Sequence, residues 1–314
     1  DKLEAERYSA EDTVLFLLSG GGSALFEEPL IPPEELQDVT NQLLACGADI
    51  VEMNTIRKRL SHVKGGRFAQ LCAPAEVFSV VLSDVVGDRL DMIASGPACP
   101  DPTTCAQAME IAEKYRLTLS PAGREALERE TPKFLDNTET HITGSVHELC
   151  AAAGRICTAL GYRTIFLTDQ LCCEAKEAGS FLASIARAHQ DTDQFLAFIA
   201  GGETVVHLTG TGRGGRNQEL ALSAAAGLRG TRDTLLLSLG SDGTDGPTDA
   251  AGGIVDSDTA ERLEKQGISI YQTLQRNDAY SALAAVGGLV MTGSTGTNVN
   301  DVAVLLIRRP VHKL

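Results

Sequence analysis

The sequence contains no tryptophan, and aromatic side chains account for only 4% of its 314 residues. Positive charge is also scarce: 27 Lys and Arg residues face 42 Asp and Glu residues, which gives a formal net charge of -15. A chain this acidic repels phosphate backbones and anionic lipid surfaces. We therefore expect neither a nucleic acid nor a membrane as a partner, and an anionic ligand would need a locally basic pocket.

Residue patterns that bind zinc or form disulfides are missing as well. The eight cysteines include no CxxC pair, and the adjacent Cys172 and Cys173 cannot form a normal bridge. His147 and Glu148 begin an HExxH pattern, but Ala151 stands where its second histidine belongs. No apolar run reaches the ~18 residues that a membrane helix needs. These absences predict free thiols in a reducing compartment, and hence a cytoplasmic protein.

Short apolar runs that alternate with helical patterns are present instead. Thr13–Leu18 and residues 75–82 read as buried strands, and the Pro-rich residues 95–104 read as a linker. Beyond the linker the patterns predict helices at residues 105–115, 146–160, 173–188, 217–228, 259–265 and 278–285, and strands at residues 162–167, 195–200, 204–208, 234–239, 289–291 and 302–307. This alternation is typical of an α/β fold with a largely parallel sheet. We predict two domains, residues 1–102 and residues 103–314, and the last strand could belong to either.

A glycine loop follows the first strand and consists of Ser19, Gly20, Gly21, Gly22 and Ser23. Three successive glycines allow backbone N–H groups to converge on one point, which is a geometry that binds phosphate. The loop matches neither the P-loop nor the dinucleotide fingerprint. The alternative is a tight turn from a strand into a helix.

A basic segment at residues 54–66 stands out in this acidic chain. It carries Arg57, Lys58, Arg59 and Lys64. Arg57 and Lys64 are seven residues apart and share one helix face if the helix continues, so they could bind a carboxylate or phosphate. The alternatives are a solvated basic face and, through Ser61 and Lys64, the SxxK pattern of some serine hydrolases, although no KTG follows.

A second glycine-rich segment, residues 201–219, combines glycines with arginines. Gly201 and Gly202 precede Glu203, and the letters GTGRGGRNQE cover residues 210–219. An arginine at a glycine loop that opens a helix is a strong anion site. The predicted binding residues here are Gly214, Gly215, Arg216 and Asn217, with Asn217 also placed to cap the helix.

Two further loops lie next to predicted strands. The Asp/Gly loop at residues 240–249 contains Asp242 and Asp245, which could serve as a base and as Mg²⁺ ligands in phosphoryl transfer; an Asx-turn loop is the alternative. Thr297 and Asn298 offer polar groups to a ligand, unless residues 292–301 form only a turn. Another acidic loop, at residues 83–88, follows the strand at residues 75–82 and could hold a metal or cap a helix.

In this order the segments resemble the class II glycerate kinases, whose C-terminal part is called the MOFRL domain. The resemblance runs from about Leu18 to Asp301 and rests on SGGGSAL, NTIRKRLSHVKGG, SDVVGD, SGP, GGET, GRGGRNQEL, DGTDGPTDAAG and TGTNVND. It implies a Rossmann-like parallel-sheet domain and a MOFRL-type α/β domain, with the active site in the cleft between them.

The resemblance also implies a reaction: ATP phosphorylates D-glycerate, favouring the 2-hydroxyl, with Mg²⁺. The implied catalytic residues are Glu203, Arg216 and Asp242, joined by Asn298 and the glycine loop, while Asp242 and Asp245 would hold the metal. Some relatives are labelled hydroxypyruvate reductases, but this sequence has no dinucleotide fingerprint. The other alternative is a non-catalytic module that binds a sugar acid or nucleotide. A homodimer stays open.

The family also has an active-site lysine in a GKA-type segment that would precede Asp1. The first ~100 residues offer only two convincing strands, whereas sheets usually have ~4–6. We therefore expect an N-terminally truncated first domain that is inactive alone, with incomplete cover over Val14, Phe16, Val80 and Leu82.

Overall fold

The computed structural model describes residues 8–83, 85 and 87–308. Contacts divide the chain into two units, one ending at Thr143 and the other starting at Gly144. The predicted boundary after residue 102 therefore differs from the structure. Residues 103–143 belong to the first unit because their helices and strand complete its core and its sheet.

The first unit contains a three-stranded sheet and six α-helices among its described residues. In chain order they are β1 (Thr13–Leu18), α1 (Gly22–Leu25), α2 (Pro33–Ala45), α3 (Ile50–Arg59), α4 (Arg67–Cys72), β2 (Glu76–Leu82), α5 (Cys105–Lys114), α6 (Pro121–Leu127) and β3 (Thr138–Gly144). The strand order is β1-β2-β3, and β1 and β2 are parallel. Strand β3 was not predicted because its sequence, TETHITG, is polar and mostly exposed.

Strand β1 is buried on one face only, so the prediction of a fully buried strand is wrong. Phe16 and Leu18 point into the core, where Phe16 packs on the rings of Phe26 and Phe68. Leu15 and Leu17 on the other face are 61% and 69% exposed. The exposed apolar side chains of β1 are therefore Leu15 and Leu17, not the four predicted ones: Phe16 is buried, and Val14, Val80 and Leu82 are half-buried.

The second unit contains a six-stranded sheet flanked by helices. Its elements are α7 (Val146–Ala159), β4 (Arg163–Leu171), α8 (Ala175–Ala188), β5 (Leu196–Gly202), α9 (Arg216–Leu228), β6 (Thr234–Gly240), β7 (Gly252–Asp256), α10 (Thr259–Lys265), α11 (Ile270–Gln275), α12 (Ala279–Ala285), β8 (Leu289–Val290) and β9 (Asp301–Ile307). The strand order is β4-β5-β9-β6-β7-β8.

This sheet is mixed rather than largely parallel. Only β4 and β5 pair in parallel; β9 runs antiparallel between β5 and β6, and β7 and β8 continue antiparallel. The last strand, β9, thus lies in the second unit. The strand predicted at residues 204–208 is absent except for an isolated β-bridge between Val205 and Glu174. Strand β7, which begins with two glycines, was not predicted.

Helix α9 is buried along most of its length and packs against α8. The contact is close because Gly179 of α8 has no side chain: a Cβ there would lie 2.1 Å from the carbonyl oxygen of Leu220. Small residues in α9, such as Ala221 and Ala224, are fully buried in the same core. The packing fixes α9 against the sheet and with it the position of its first residue, Arg216.

Candidate active site

Three loops of the second unit meet at one edge of its sheet. Gly202, the last residue of β5, and Gly240, the last of β6, both lie opposite Asp301, the first residue of β9. Chain segments entering or leaving these strands therefore carry Glu203, Asp242 and Asn298 to the same edge. They line a cavity of about 820 Å³ together with the loop that opens α9.

Arg216 is held at this cavity by two carboxylates. Its Nε and Nη2 donate to the two oxygens of Asp301 at 2.6 and 3.1 Å, and its Nη1 donates to Glu203 Oε1 at 2.7 Å. Burial lowers the pKa of Arg216, but hydrogen bonding and charge from Asp301 and Glu203 outweigh burial and raise it. The guanidinium is thus a permanent, oriented charge with 32% of its side chain still exposed.

Asp245 caps helix α9 from a loop that follows β6. Its Oδ1 accepts from the backbone N–H of Asn217 at 3.1 Å, and its Oδ2 accepts from that of Gln218 at 2.8 Å. Burial raises the pKa of Asp245 to about 6, although these N–H groups act in the opposite direction. Gly215 is required here because a Cβ would lie 2.3 Å from the Asp245 carboxyl carbon.

These contacts bear on two predictions. Asp245, predicted as a metal ligand, accepts backbone N–H groups of the first turn of α9 with both oxygens, and a role toward a metal stays a prediction. Asn217 was predicted to cap the helix and bind a ligand, but it lies inside the helix and is only 1% exposed. Its side chain accepts from Ser238 Oγ at 2.6 Å and donates to Asp245, which leaves it a structural link between α9 and β6.

Asp242 lies at the cavity with one free carboxylate oxygen. Its Oδ1 accepts from the backbone N–H of Thr244 at 2.9 Å, while Oδ2 receives no hydrogen bond from the described residues. Asn298 also lines the cavity, and its Oδ1 accepts only a 3.3 Å bond from the N–H of Asn300. Thr297 is half-buried in the same loop, outside the cavity lining.

Three residues of this region escaped prediction. Asp301 was assigned only to the end of the loop at residues 292–301, yet it holds Arg216. Asn277 fixes the arginine loop: its Oδ1 accepts from the N–H groups of Thr209 and Gly210, both at 2.8 Å. Glu219, on α9, faces the cavity. A left-handed asparagine, with φ 54° at Asn277, is a signal that only the structure provides.

The glycine loop of the first unit is an exposed turn into α1. Gly21 precedes the helix with φ 84°, and Ser19, Gly20 and Gly21 are exposed. Gly22 and Ser23 are half-buried, and a Cβ on Gly22 would lie 2.9 Å from that of Ala94. The predicted turn from strand to helix is therefore present, and its role in ligand binding stays a prediction.

Arg57 and Lys64 support this loop from inside. Arg57 Nη2 and Lys64 Nζ donate to the same acceptor, the carbonyl oxygen of Ser23, at 2.8 and 3.0 Å. Lys64 also donates to the carbonyl of Ala94 at 3.1 Å and is fully buried. Burial lowers the pKa of Lys64 to about 8, with Glu27 acting against it. The direct ligand contact predicted for Lys64 is not available, because its donors face protein carbonyls.

The remaining cations of the basic segment are also turned inward. Lys58 Nζ lies 3.1 Å from Asp101 Oδ1, and Arg59 Nη1 lies 3.5 Å from Asp101 Oδ2. Both cations and Asp101 are at most 1% exposed. The alternative of a solvated basic face is therefore wrong, since these cations lie in a buried ionic core.

Two other sequence hypotheses can be compared with the structure. Ser61 is fully buried and its Oγ accepts from the N–H groups of Val63 and Lys64, while Lys64 Nζ bonds Ser23 and Ala94. This arrangement provides no exposed serine nucleophile and rules out the SxxK hydrolase reading. In the loop at residues 83–88, Asp84 lies outside the described residues.

No group of three or more His, Cys, Asp and Glu side chains suited to a metal ion occurs among the described residues. In the same part of the chain, no helix is long and apolar enough to cross a membrane.

Comparison with known proteins agrees with this architecture. Residues 3–128 match the model of a domain of unknown function, DUF4147, and residues 196–301 match that of the MOFRL family. This chain belongs to the MOFRL family. Its relatives include the D-glycerate 2-kinase of Thermotoga maritima, which is 53% identical over 96% of this chain and 74% of the relative.

A structural and a second sequence comparison extend this result. The crystal structure of glycerate kinase from Thermotoga maritima superimposes with a TM-score of 0.94 at 52% identity, over 98% of this chain and 75% of that one. A protein of Agrobacterium vitis called a putative hydroxypyruvate reductase is 40% identical over 95% of this chain and 80% of its own length. The expected family membership and α/β class are thereby confirmed.

Proposed function

We propose that this protein is a glycerate 2-kinase, which transfers a phosphoryl group from ATP to the 2-hydroxyl of D-glycerate and releases ADP. The observation that carries the proposal is a cavity lined by Arg216, the first residue of a buried helix, in a chain that is 53% identical to a D-glycerate 2-kinase. Phosphoryl transfer requires mainly positioning and neutralisation of charge. An oriented guanidinium at a helix N-terminus provides both.

In this mechanism Arg216 binds the transferring phosphoryl group. Asp301 fixes the guanidinium plane through two hydrogen bonds, and Glu203 holds the remaining edge, so little reorganisation is needed when an anion enters. Asp242, through its free Oδ2, accepts the proton of the attacking hydroxyl. Asn298 donates its amide to the substrate, and Thr297 and Gly214 shape the neighbouring loops. The loop at residues 19–23 binds phosphate oxygens of ATP, with Arg57 and Lys64 as its supports.

Magnesium would enter with ATP, because Mg²⁺ is usually held by one or two carboxylates together with substrate phosphates. Asp242 would fit this role through its unbonded oxygen, as an alternative to acting as the base. Asp245 fits it less well, because each of its oxygens already accepts a backbone N–H group. The ion would neutralise charge on the phosphates. Cytoplasmic location and a homodimeric assembly also stay predictions.

Product analysis by ³¹P NMR tests the function. The full-length protein, with any residues that precede Asp1, is incubated with ATP, Mg²⁺ and D-glycerate, and the product resonance is compared with authentic 2-phosphoglycerate and 3-phosphoglycerate. We expect 2-phosphoglycerate and ADP in equal amounts. A parallel incubation with hydroxypyruvate and NADH should show no oxidation of the cofactor. ATP left unchanged in the presence of D-glycerate would contradict the proposal and favour a binding module, and oxidised NADH would favour the reductase.

A further inference from the structure

One buried carboxylate at the cavity has no part in the mechanism above. Glu219 lies in the first turn of α9 and is only 4% exposed. Its Oε2 accepts a hydrogen bond from Asn277 Nδ2 at 3.2 Å. No described residue donates to its Oε1, and no described cation forms an ion pair with it, although the side chain lines the cavity.

The surroundings hold Glu219 in place, and Lys176 offsets part of its charge without forming an ion pair with it. Asn277 is itself fixed, since its Oδ1 accepts two backbone N–H groups and its Nδ2 also donates to the carbonyl of His207 at 3.2 Å. Burial raises the pKa of Glu219, and the bond from Asn277 opposes that rise. A buried carboxylate with an unused oxygen is costly unless a donor completes its hydrogen bonds. The cavity is where such a donor can come from.

The chemistry of the donor follows from the neighbour one turn away. Arg216 and Glu219 are three residues apart, so their side chains share one face of α9. A positive group and a negative group side by side orient a ligand that has an anionic end and a neutral donor end. Glu219 repels phosphate and carboxylate groups, so of the groups that a small hydroxy acid offers, the hydroxyls are its partners.

We infer that Glu219 determines substrate specificity by accepting a hydrogen bond from the 3-hydroxyl of D-glycerate, an inference that rests on the function proposed above. The 2-hydroxyl is the phosphoryl acceptor in that function, so the 3-hydroxyl is the remaining donor. Removal of this hydroxyl from the substrate, or of the acceptor from the protein, should then have equivalent effects.

D-lactate provides the test, because it is D-glycerate with the 3-hydroxyl replaced by hydrogen. We compare kcat/KM for the two acids in the wild type and in Glu219→Gln. Glutamine keeps the shape and can still accept from Asn277, but it then presents an N–H donor to the cavity. The variant should lose roughly tenfold to a hundredfold in kcat/KM for D-glycerate, the value of a hydrogen bond to a charged group, and less than about threefold for D-lactate.

The matched control is Glu148→Gln. Glu148 is likewise a glutamate in the first turn of a helix of this unit, α7, but it is exposed and outside the cavity. The Glu148→Gln variant should keep the wild-type kcat/KM for both D-glycerate and D-lactate. Equal losses for D-glycerate and D-lactate in Glu219→Gln would overturn the inference, since they would indicate a general effect on catalysis or folding.

Direct binding separates this inference from the proposed function. The affinities of wild type and Glu219→Gln for D-glycerate and D-lactate are measured by calorimetry without ATP. Preference for D-glycerate in the wild type, lost in the variant, supports the inference even if no phosphoryl transfer is found. Equal affinity of the wild type for the two acids contradicts it even if the protein is an active kinase.

Discussion

In the first unit, Lys58, Arg59 and Lys64 are each at most 1% exposed, whereas Arg216 in the second unit keeps 32% of its side chain open to a cavity. Both sets of cations come from glycine-containing segments of an acidic chain. The difference lies in their partners. The first-unit cations are enclosed by Asp101 and by backbone carbonyls, while the carboxylates that hold Arg216 stand at the cavity rim.

This comparison shows what decides whether a basic segment can bind a ligand. The segment at residues 54–66 carries more cations than the loop at residues 210–219, but their hydrogen-bonding capacity is used within the protein. Arg216, at the start of a helix, is held by Asp301 through Nε and Nη2 and by Glu203 through Nη1, yet 32% of its side chain stays exposed at the cavity. We therefore assign a structural role to Lys58, Arg59 and Lys64 and a ligand-binding role to Arg216. The following predictions test this assignment.

The largest effect is expected at the cavity, from Asp242→Asn. The substitution keeps the shape and removes the charge, so a base or metal ligand is lost. Turnover should fall by about 10²–10⁴-fold, the usual contribution of a general base. The thermal midpoint, measured in parallel by calorimetry, should be unchanged. Normal turnover at saturating Mg²⁺ would make the loop at residues 240–249 purely structural.

The first unit should respond in stability instead. Lys58→Ala leaves Asp101 buried without its nearest cation, at 3.1 Å in the wild type. Breaking a buried pair in this way costs about 3–5 kcal/mol in the free energy of unfolding. Urea unfolding measures it. Lys114→Ala, which removes an exposed partner of Glu52, is the control and should change stability little. A loss no greater than that of the control would mean that the ionic core contributes nothing.

The cap on α9 is tested by Asp245→Ala. It removes the acceptor for the N–H groups of Asn217 and Gln218 and should cost about 1–2 kcal/mol of stability. Because both oxygens of Asp245 are already engaged by these N–H groups, we expect no metal ligand to be lost, and the Mg²⁺ concentration that gives half-maximal rate should stay that of the wild type. A large shift in the Mg²⁺ dependence would restore Asp245 as a metal ligand.

The smallest effect concerns the buried ammonium of Lys64. Its pKa is lowered from 10.5 to about 8, chiefly by burial, so between these values the unfolded chain binds more protons than the native protein. The stability contributed through Lys64 therefore rises with pH in this window, by at most about 1.4 kcal/mol per pH unit.

Lys64→Met removes the titrating group and provides the comparison. The free energy of unfolding of the wild type, minus that of the variant, should increase when urea titrations at pH 8 are repeated at about pH 9.5. A constant or decreasing difference would contradict the lowered pKa.

Much of this could be predicted from local sequence. Helix α9, strands β5 and β6, and the cavity positions of Arg216, Asp242 and Asn298 follow from apolar periodicity and from loops at strand ends. Features that depend on distant pairing could not. Asp245 caps a helix that begins 29 positions earlier in the chain, at Arg216, and Asp301 meets that same arginine only because β9 inserts between β5 and β6.

The burial of Lys58 and Arg59 could not be predicted for the same reason, because it depends on a contact with a distant residue. Their charges predict exposure until the position of Asp101 is known, and that depends on how the Pro-rich residues after 95 fold back on α3. Strand β3 was hidden for another reason: its side chains are polar and exposed, so no apolar period marks it.

The central claim is that Arg216 acts on the transferring phosphoryl group, and the most direct test measures kcat for ATP-dependent phosphorylation of D-glycerate in Arg216→Ala and Arg213→Ala. Arg213 is the matched control, an exposed arginine of the same loop that pairs with Asp249 and stacks on Tyr280. We predict a loss of about 10³-fold for Arg216→Ala, partial recovery in Arg216→Lys, and near-normal turnover for Arg213→Ala. Turnover of Arg216→Ala within about tenfold of the wild type would contradict the account.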